Sequence, residues 1–127
     1  MTVTSIDRTA ERIRDRILEI EGDRLVRIIL FGSRARGNAR DSSDYDLLVV
    51  LREPIDCAEE QSSLSRKLSD IRPRADVHVY GEEEFEEESG VAGTVAYPAA
   101  QHGTFLYENT RSGQGRGRSA VAGFRAE

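Results

Sequence analysis

The 127-residue sequence predicts a small domain of the α/β (α+β) class, in which a mixed β-sheet of three to four strands is flanked by helices. Apolar residues recur at helical spacing near the start of the chain, and short runs of β-branched and apolar residues follow. The predicted elements then alternate in the order α-β-loop-β-α-β-α. We expect the domain to span residues 1–110, and the Gly-, Ser- and Arg-rich residues 111–127 to form a disordered tail.

The first predicted element is an amphipathic helix over residues 6–21. Apolar residues recur there at intervals of four, three, four and three: Ile6, Ala10, Ile13, Ile17 and Ile20. Ser5 or Asp7 is placed to cap the first turn, and Gly22 is placed to end the helix.

Three apolar runs predict the strands of the sheet. They are RLVRIILF at 24–31, DYDLLVVL at 44–51 and RADVHVYG at 74–81. The second run is continuously apolar, which predicts burial on both faces, and the third alternates. The other predicted elements are a helix over 56–71 with Ala58, Leu64, Leu68 and Ile71 facing inward, an acidic helix start at 82–90, a weaker helix over 91–102 interrupted by Gly93 and Pro98, and a short strand at 103–108.

Composition argues against several classes of protein. The net charge of −5 disfavours non-specific binding to nucleic acid or to a membrane surface. The apolar runs are too short to cross a bilayer, and the charged N-terminal segment lacks the apolar core of a signal peptide. Cys57 is the single cysteine, so no internal disulfide forms. We expect a cytoplasmic protein without a membrane partner.

Two aspartates stand at the start of the second predicted strand. Strand side chains alternate, so Asp44 and Asp46 share one face, roughly 6–7 Å apart along the strand, while Tyr45 points to the other face. Such a pair repels itself unless a divalent cation lies between the carboxylates. Mg²⁺ binds carboxylate oxygens and keeps positions for water and phosphate. The alternative is a solvated turn or cap, which is the commoner reason for a lone Asp-x-Asp.

Asp76 opens the third predicted strand and is a third candidate ligand. If that strand lies beside the second, three aspartates can hold two Mg²⁺ ions. One ion would bind the phosphates of a nucleotide, and the other would lower the pKa of an attacking hydroxyl. Asp76 would bridge the ions or assist as a base. His78 follows on the same face, where we expect an ordinary strand histidine.

A Gly-Ser pair directly after the first predicted strand supplies the other half of the candidate site. Gly32 lets the backbone approach a phosphate closely, and Ser33 adds a hydroxyl. Arg34 and Arg36 are placed to neutralise a triphosphate. Ten residues separate the Gly-Ser pair from Asp44, so the predicted phosphate-binding residues and the carboxylates belong to one short stretch of chain.

The stretch GSRARGNARDSSDYDLLVVL resembles the DNA polymerase β-type nucleotidyltransferase superfamily in its Gly-Ser pair, spacing and Asp-x-Asp. The small size and the ending TVAYPAAQHGTFLYE are similar to the minimal nucleotidyltransferases (MNT, MntA-like), the antitoxin partners of HEPN-domain toxins. The resemblance covers roughly residues 6–108. It implies a polymerase β-like fold and ATP as the nucleotide. By this resemblance, Gly32 and Ser33 would bind phosphate, Asp44 and Asp46 would bind Mg²⁺, and Asp76 would be the third carboxylate of the site.

The resemblance further implies that the protein is a protein adenylyltransferase. It would transfer AMP to a tyrosine of a HEPN ribonuclease toxin and so act as a type VII-like antitoxin, alone or in an oligomer with itself or the toxin. One alternative is AMP transfer to a small molecule such as an aminoglycoside, which relatives with an added helical domain perform. Another is a non-catalytic module that covers the toxin, although such a module has no need of three repelling aspartates.

Overall fold

The computed structural model describes residues 7–37, 39–40 and 42–109, so the predicted tail, Ser5 and Ile6 lie outside the described residues. In chain order the elements are α1 (Arg8–Glu21), a 3-10 turn (Gly22–Arg24), β1 (Leu25–Phe31), α2 (Ser33–Arg36), β2 (Tyr45–Leu51), α3 (Cys57–Lys67), β3 (Ala75–Gly81), α4 (Glu82–Glu88), α5 (Ala96–His102) and β4 (Thr104–Glu108). In this part of the chain, no helix is long and apolar enough to span a bilayer.

The four strands form one mixed sheet in the order β3-β2-β1-β4. Strand β1 is antiparallel to both β2 and β4, whereas β2 and β3 are parallel. The parallel pair requires a crossover, and α3 supplies it. The predicted fold class, a mixed sheet of three to four strands flanked by helices, is therefore confirmed.

Helices cover both faces of the sheet, and each face has its own apolar core. Helices α1 and α3 pack on one face through residues that include Ile13, Ile17, Leu47, Val49, Leu64 and Val77. Helices α4 and α5 pack on the other face through residues that include Ile29, Leu48, Val50, Phe85, Ala96 and Ala99. Strand β2 contributes to both cores, as its continuous apolar run predicts.

The ends of α1 follow the predicted capping residues. The Asp7 side chain accepts a hydrogen bond from the Ala10 amide at 2.8 Å, which satisfies one of the free N–H groups of the first turn. At the other end the chain leaves the helix at Gly22, whose φ of 59° favours glycine. The helix thus begins two residues later than predicted and ends where predicted.

Helix α3 corrects the sequence prediction in two ways. It ends at Lys67 rather than at residue 71, although Leu68 and Ile71 are still buried in the turn that follows. Ala58 is exposed, not inward. The inward side of the helix instead includes the half-buried Cys57 and Gln61 and the buried Leu64, at spacings of four and three. Ala58 lies about 100° around the helix from Cys57, which places it toward solvent.

Helix α5 is shorter than the segment predicted for it. Residues 89–95 form turns, and the helix begins at Ala96. The Tyr97 amide donates to the Thr94 hydroxyl at 3.2 Å, which caps the first turn. Pro98 does not interrupt the helix because it lies in that first turn, where its missing N–H removes no intrahelical hydrogen bond.

Candidate active site

The candidate site lies on the α4/α5 face of the sheet, where β2 and β3 begin and β1 ends. Asp46 and Asp76 alternate with residues of the α1/α3 core such as Tyr45 and Val77, so they point to the opposite face. Both are partly exposed, and 44% of the Asp76 side chain is accessible. The sheet thus presents two carboxylates on a face that stays open to a ligand.

Asp46 and Asp76 are direct neighbours across the parallel strands. Their Cα atoms are partners in the β2–β3 register, so the two side chains lie side by side. Burial, and then the negative charge of Asp76, raise the pKa of Asp46, while His78 and Arg36 oppose that shift. A proton on Asp46 or a cation beside it relieves the repulsion. The strands that carry Asp46 and Asp76 are therefore adjacent, as a site shared by these two residues requires.

Asp44 directly precedes β2, at the same end of the sheet, but its side chain contacts Arg74. Its Oδ2 accepts a hydrogen bond from Arg74 Nη2 at 2.8 Å, and 40% of its side chain is exposed. Its charge adds to the raised pKa of Asp46. Among the described residues, no three His, Cys, Asp or Glu side chains are yet arranged to hold a metal ion. The donor set suits Mg²⁺, because all three groups are carboxylates.

Gly32 brings the Gly-Ser turn against the carboxylates. It follows Phe31, whose register partner on β2 is Asp46. Its φ of 77° lies in the region that favours glycine, and a Cβ at this position would collide with the Asp46 carboxylate oxygen Oδ2. Glycine is required here both for the turn and for the close approach. The backbone of Gly32 is therefore not covered by a side chain where it lies beside Asp46.

Ser33 begins α2, a single helical turn. The Ala35 and Arg36 amides both donate to the Gly32 carbonyl oxygen at 3.1 Å, and the Gly37 amide donates to the Ser33 carbonyl oxygen at 3.0 Å. Ser33 is itself partly exposed beside Gly32. Ser33 thus directly follows the glycine that contacts Asp46, and its role in phosphate binding remains a prediction.

The two arginines predicted to bind phosphate have different surroundings. Arg36 is exposed, and its positive charge lowers the pKa of Asp46, so its charge acts at the site. Arg34 instead packs over the Tyr45 ring and donates to the Ser43 carbonyl oxygen. Arg36 remains a predicted phosphate ligand, whereas the guanidinium of Arg34 is engaged within the protein.

Two further side chains border the carboxylates. His78 Nε2 lies 3.7 Å from Asp76 Oδ2, and the His78 ring is tilted against Phe31 with centroids 5.9 Å apart. The sequence placed His78 on this face. Sequence reasoning missed Arg74, although a signal existed: it lies two residues before Asp76, on the same strand face, and the parallel register places it opposite Asp44.

Comparisons with known proteins agree with this fold. The family model "Polymerase beta, Nucleotidyltransferase" matches residues 15–112. A search of curated protein sequences found no match. Among solved structures, a chain of a toxin–antitoxin complex with AMP-PNP superposes with a TM-score of 0.56 at 18% identity, covering 91% of this chain and 87% of that one.

Two further solved structures share the fold. A Sulfolobus solfataricus protein presented as a candidate nucleotidyltransferase has a TM-score of 0.56 at 23% identity, over 81% of this chain and 80% of its own. A chain from the complex of a tri-AMPylated Shewanella oneidensis HEPN toxin with its MNT antitoxin has a TM-score of 0.50 at 16% identity, over 91% and 84%. Since the family match spans well over half of the sequence, the protein belongs to the polymerase beta nucleotidyltransferase family.

Proposed function

We propose that the protein is a Mg²⁺-dependent protein adenylyltransferase that moves AMP from ATP to a tyrosine hydroxyl of a cognate HEPN toxin and thereby acts as an antitoxin. One observation carries the proposal: Asp46 and Asp76 stand side by side on an open sheet face, with the bare backbone of Gly32 against them. In a chain of this family, this arrangement supports the binding of a cation by the carboxylates and of a phosphate by the neighbouring Gly32 backbone.

The choice of ATP and of a protein acceptor is supported by the fold relatives. One of them was solved with AMP-PNP, and another belongs to a complex whose HEPN toxin carries three AMP groups. The open face around Asp76 gives an acceptor on another protein access to the carboxylates. We infer the same division of roles here, with this chain as the transferase and a HEPN protein as the acceptor.

In the proposed reaction, the acceptor oxygen forms a bond to the α-phosphorus of ATP. The bond from that phosphorus to its bridging oxygen breaks, and pyrophosphate leaves. Asp44, Asp46 and Asp76 would hold the Mg²⁺ ions, two in number by analogy with other paired-carboxylate phosphoryl sites. Mg²⁺ bound there supplies charge neutralisation on the transferred and leaving phosphates and lowers the pKa of the acceptor hydroxyl.

The remaining tasks fall to the protein groups. We assign to Asp76 the acceptance of the proton from the acceptor hydroxyl, because 44% of its side chain is exposed on the open face. Gly32 and Ser33 cradle the phosphates through the backbone and a hydroxyl. Arg36 adds positive charge at the same corner. Catalysis by this set is mainly positioning and electrostatic stabilisation.

The test is mass spectrometry of the cognate HEPN protein after incubation with this protein, ATP and Mg²⁺. We expect the HEPN protein to gain one or more AMP units on tyrosine, and the Asp44→Asn/Asp46→Asn variant to add none. Asp15→Asn is the matched control, because Asp15 is exposed on α1 and pairs only locally with Arg14. Neutralised toxin without a mass change would contradict the proposal, as would AMP found only on a small hydroxylated antibiotic.

A further inference from the structure

We propose that Arg34 is a positioning residue that holds the phosphate turn, Gly32–Gly37, at a fixed distance from the segment carrying Asp44 and Asp46. The inference rests on the proposed function, because it concerns how the cation-binding carboxylates are arranged. It differs from the sequence expectation, in which Arg34 binds phosphate. Three sets of contacts support it.

The first contact joins the two ends of the loop. Arg34 Nε and Nη2 donate to the Ser43 carbonyl oxygen at 3.2 and 2.9 Å, and Ser43 directly precedes Asp44. That carbonyl is held in place by a closed turn. The Arg40 amide donates to the Ser43 hydroxyl at 2.9 Å, and the Ser43 amide donates to the Arg40 carbonyl oxygen at 3.0 Å. Arg34 therefore ties the phosphate turn to the residue that directly precedes Asp44.

The second contact is the stacking of Arg34 on the residue between the two aspartates. The guanidinium carbon lies 4.2 Å from the centroid of the Tyr45 ring, a geometry favourable for a cation–π interaction. Tyr45 is only 2% exposed. Because strand side chains alternate, a fixed Tyr45 also fixes the direction in which Asp44 and Asp46 point.

The third contact anchors Tyr45 to the start of α1. The Tyr45 hydroxyl donates to Asp7 Oδ2 at 2.7 Å, while the other oxygen of Asp7 caps the helix by accepting from Ala10. The series of contacts that begins at the phosphate turn thus ends at the start of α1, which packs in the α1/α3 core.

A lysine cannot replace Arg34 in this role. A guanidinium is a planar fork that can stack on a ring and donate two hydrogen bonds to one carbonyl at the same time, whereas an ammonium is a point charge. The two roles of Arg34 therefore predict different results for Arg34→Lys. A phosphate ligand would keep much of its effect in Arg34→Lys, but a positioning residue (a brace) would lose the combination of ring stacking with two hydrogen bonds to the Ser43 carbonyl oxygen.

The experiment measures Mn²⁺ affinity of the protein without nucleotide, by electron paramagnetic resonance, for wild type and variants. We expect Arg34→Lys and Tyr45→Leu each to weaken Mn²⁺ binding about tenfold, as for other groups that orient metal ligands. The double variant should bind no more weakly than either single variant. Arg16→Lys is the matched control, because Arg16 also donates to a backbone carbonyl, that of Lys67 at 2.8 Å, far from the site.

Steady-state rates of AMP transfer add a second readout. For a brace, kcat falls while KM for ATP changes little in Arg34→Lys. Wild-type Mn²⁺ affinity in Arg34→Lys, with a raised KM for ATP in Arg34→Gln, would overturn the brace and restore Arg34 as a phosphate ligand. If wild type binds Mn²⁺ no better than Asp46→Asn does, the proposed function fails and this inference with it. Circular dichroism of each variant shows that it is folded.

Discussion

Among the residues that the structure describes, two clusters that combine carboxylates with an arginine differ in the exposure of their carboxylates. The open cluster contains Asp44, Asp46, Asp76 and Arg74. The buried cluster joins the end of α1 to α3 and contains Glu21, Glu60 and Arg24. Each cluster includes a carboxyl group whose pKa is raised. The two clusters differ in how the negative charge of their carboxylates is offset.

The buried cluster balances its charge internally. Glu21 is 5% exposed, and Arg24 Nη2 lies 2.7 Å from Glu21 Oε1 and 3.2 Å from Glu60 Oε1. Burial, and then a hydrogen bond to Glu60, raise the pKa of Glu21 from its usual 4.5 to about 7. A shared proton and a guanidinium together leave little charge for an outside ligand to offset, which suits a structural link between helices.

In the open cluster, part of the repulsion between the carboxylates is not offset by a positive charge. Arg74 contacts Asp44, whereas Asp46 and Asp76 face each other on adjacent strands. The difference teaches that a raised carboxyl pKa does not by itself mark an active site. Exposure, unbalanced charge and the bare backbone of Gly32 are what distinguish the open cluster. The following changes test that distinction.

The largest effect is expected from the register pair. Asp46→Asn or Asp76→Asn should lower the rate of AMP transfer about 10³-fold, because each removes a charge that holds the cation at the reacting phosphate. Glu21→Gln, the corresponding change in the buried cluster, should leave the rate nearly unchanged. Initial rates of AMP incorporation measure both. Equal losses in the two clusters would remove the distinction between them.

The next effect is expected at the glycine beside Asp46. Gly32→Ala should lower the transfer rate about 10²-fold, because the added Cβ displaces the Asp46 carboxylate and misplacement of about 1 Å is that costly. Gly37→Ala is the matched control, since its φ is 83° and nothing lies within 4 Å of an added Cβ. Both variants should lose similar stability in urea unfolding. A rate loss as large in Gly37→Ala would attribute the effect to backbone strain alone.

A pH-dependent effect on stability is expected from the buried cluster. The folded-state pKa of Glu21 is raised, so the folded protein holds this proton more tightly than the unfolded chain. Its stabilising contribution is full below about pH 4.5 and is lost as pH rises toward 7. Glu21→Gln should therefore gain stability relative to wild type between pH 5 and about pH 8. Urea unfolding at both values measures it, and a constant difference would contradict the assigned pKa.

The smallest effect is expected from the two arginines. Arg74→Gln should tighten Mn²⁺ binding about threefold, because it frees Asp44 and removes a positive charge from an exposed pair. The same variant should unfold at the wild-type urea concentration. Arg24→Gln should do the reverse, lowering stability without changing Mn²⁺ affinity, since it leaves Glu21 buried beside Glu60 without its guanidinium. Titration with Mn²⁺ and urea unfolding of both variants separate the two clusters.

Much of this fold follows from local patterns in the sequence. Alternation within β2 and β3 placed Asp46 and Asp76 on one face, and the Gly-Ser pair after β1 placed the phosphate turn at the same edge. These relations depend on strand geometry, which repeats every two residues. The roles of these residues in binding and catalysis remain predictions.

Other features depend on contacts between distant parts of the chain. Arg34 and Arg36 look alike in sequence, and only the folded structure shows that Arg34 contacts Ser43 and Tyr45, while Arg36 is exposed and its charge lowers the pKa of Asp46. The inward face of α3 was misassigned at Ala58 because partly polar stripes, here through Gln61, give a weak periodic signal. Gln61 is inward because it accepts from the Val79 amide of β3 at 2.9 Å.

The most direct test of the central claim is a crystal structure with Mn²⁺ and a non-hydrolysable ATP analogue, with Mn²⁺ located by its anomalous scattering. The account predicts Mn²⁺ between the Asp46 and Asp76 carboxylates, phosphate oxygens at the Gly32 backbone, and Asp44 released from Arg74. Anomalous peaks only at other carboxylates, or nucleotide bound away from Gly32, would contradict it.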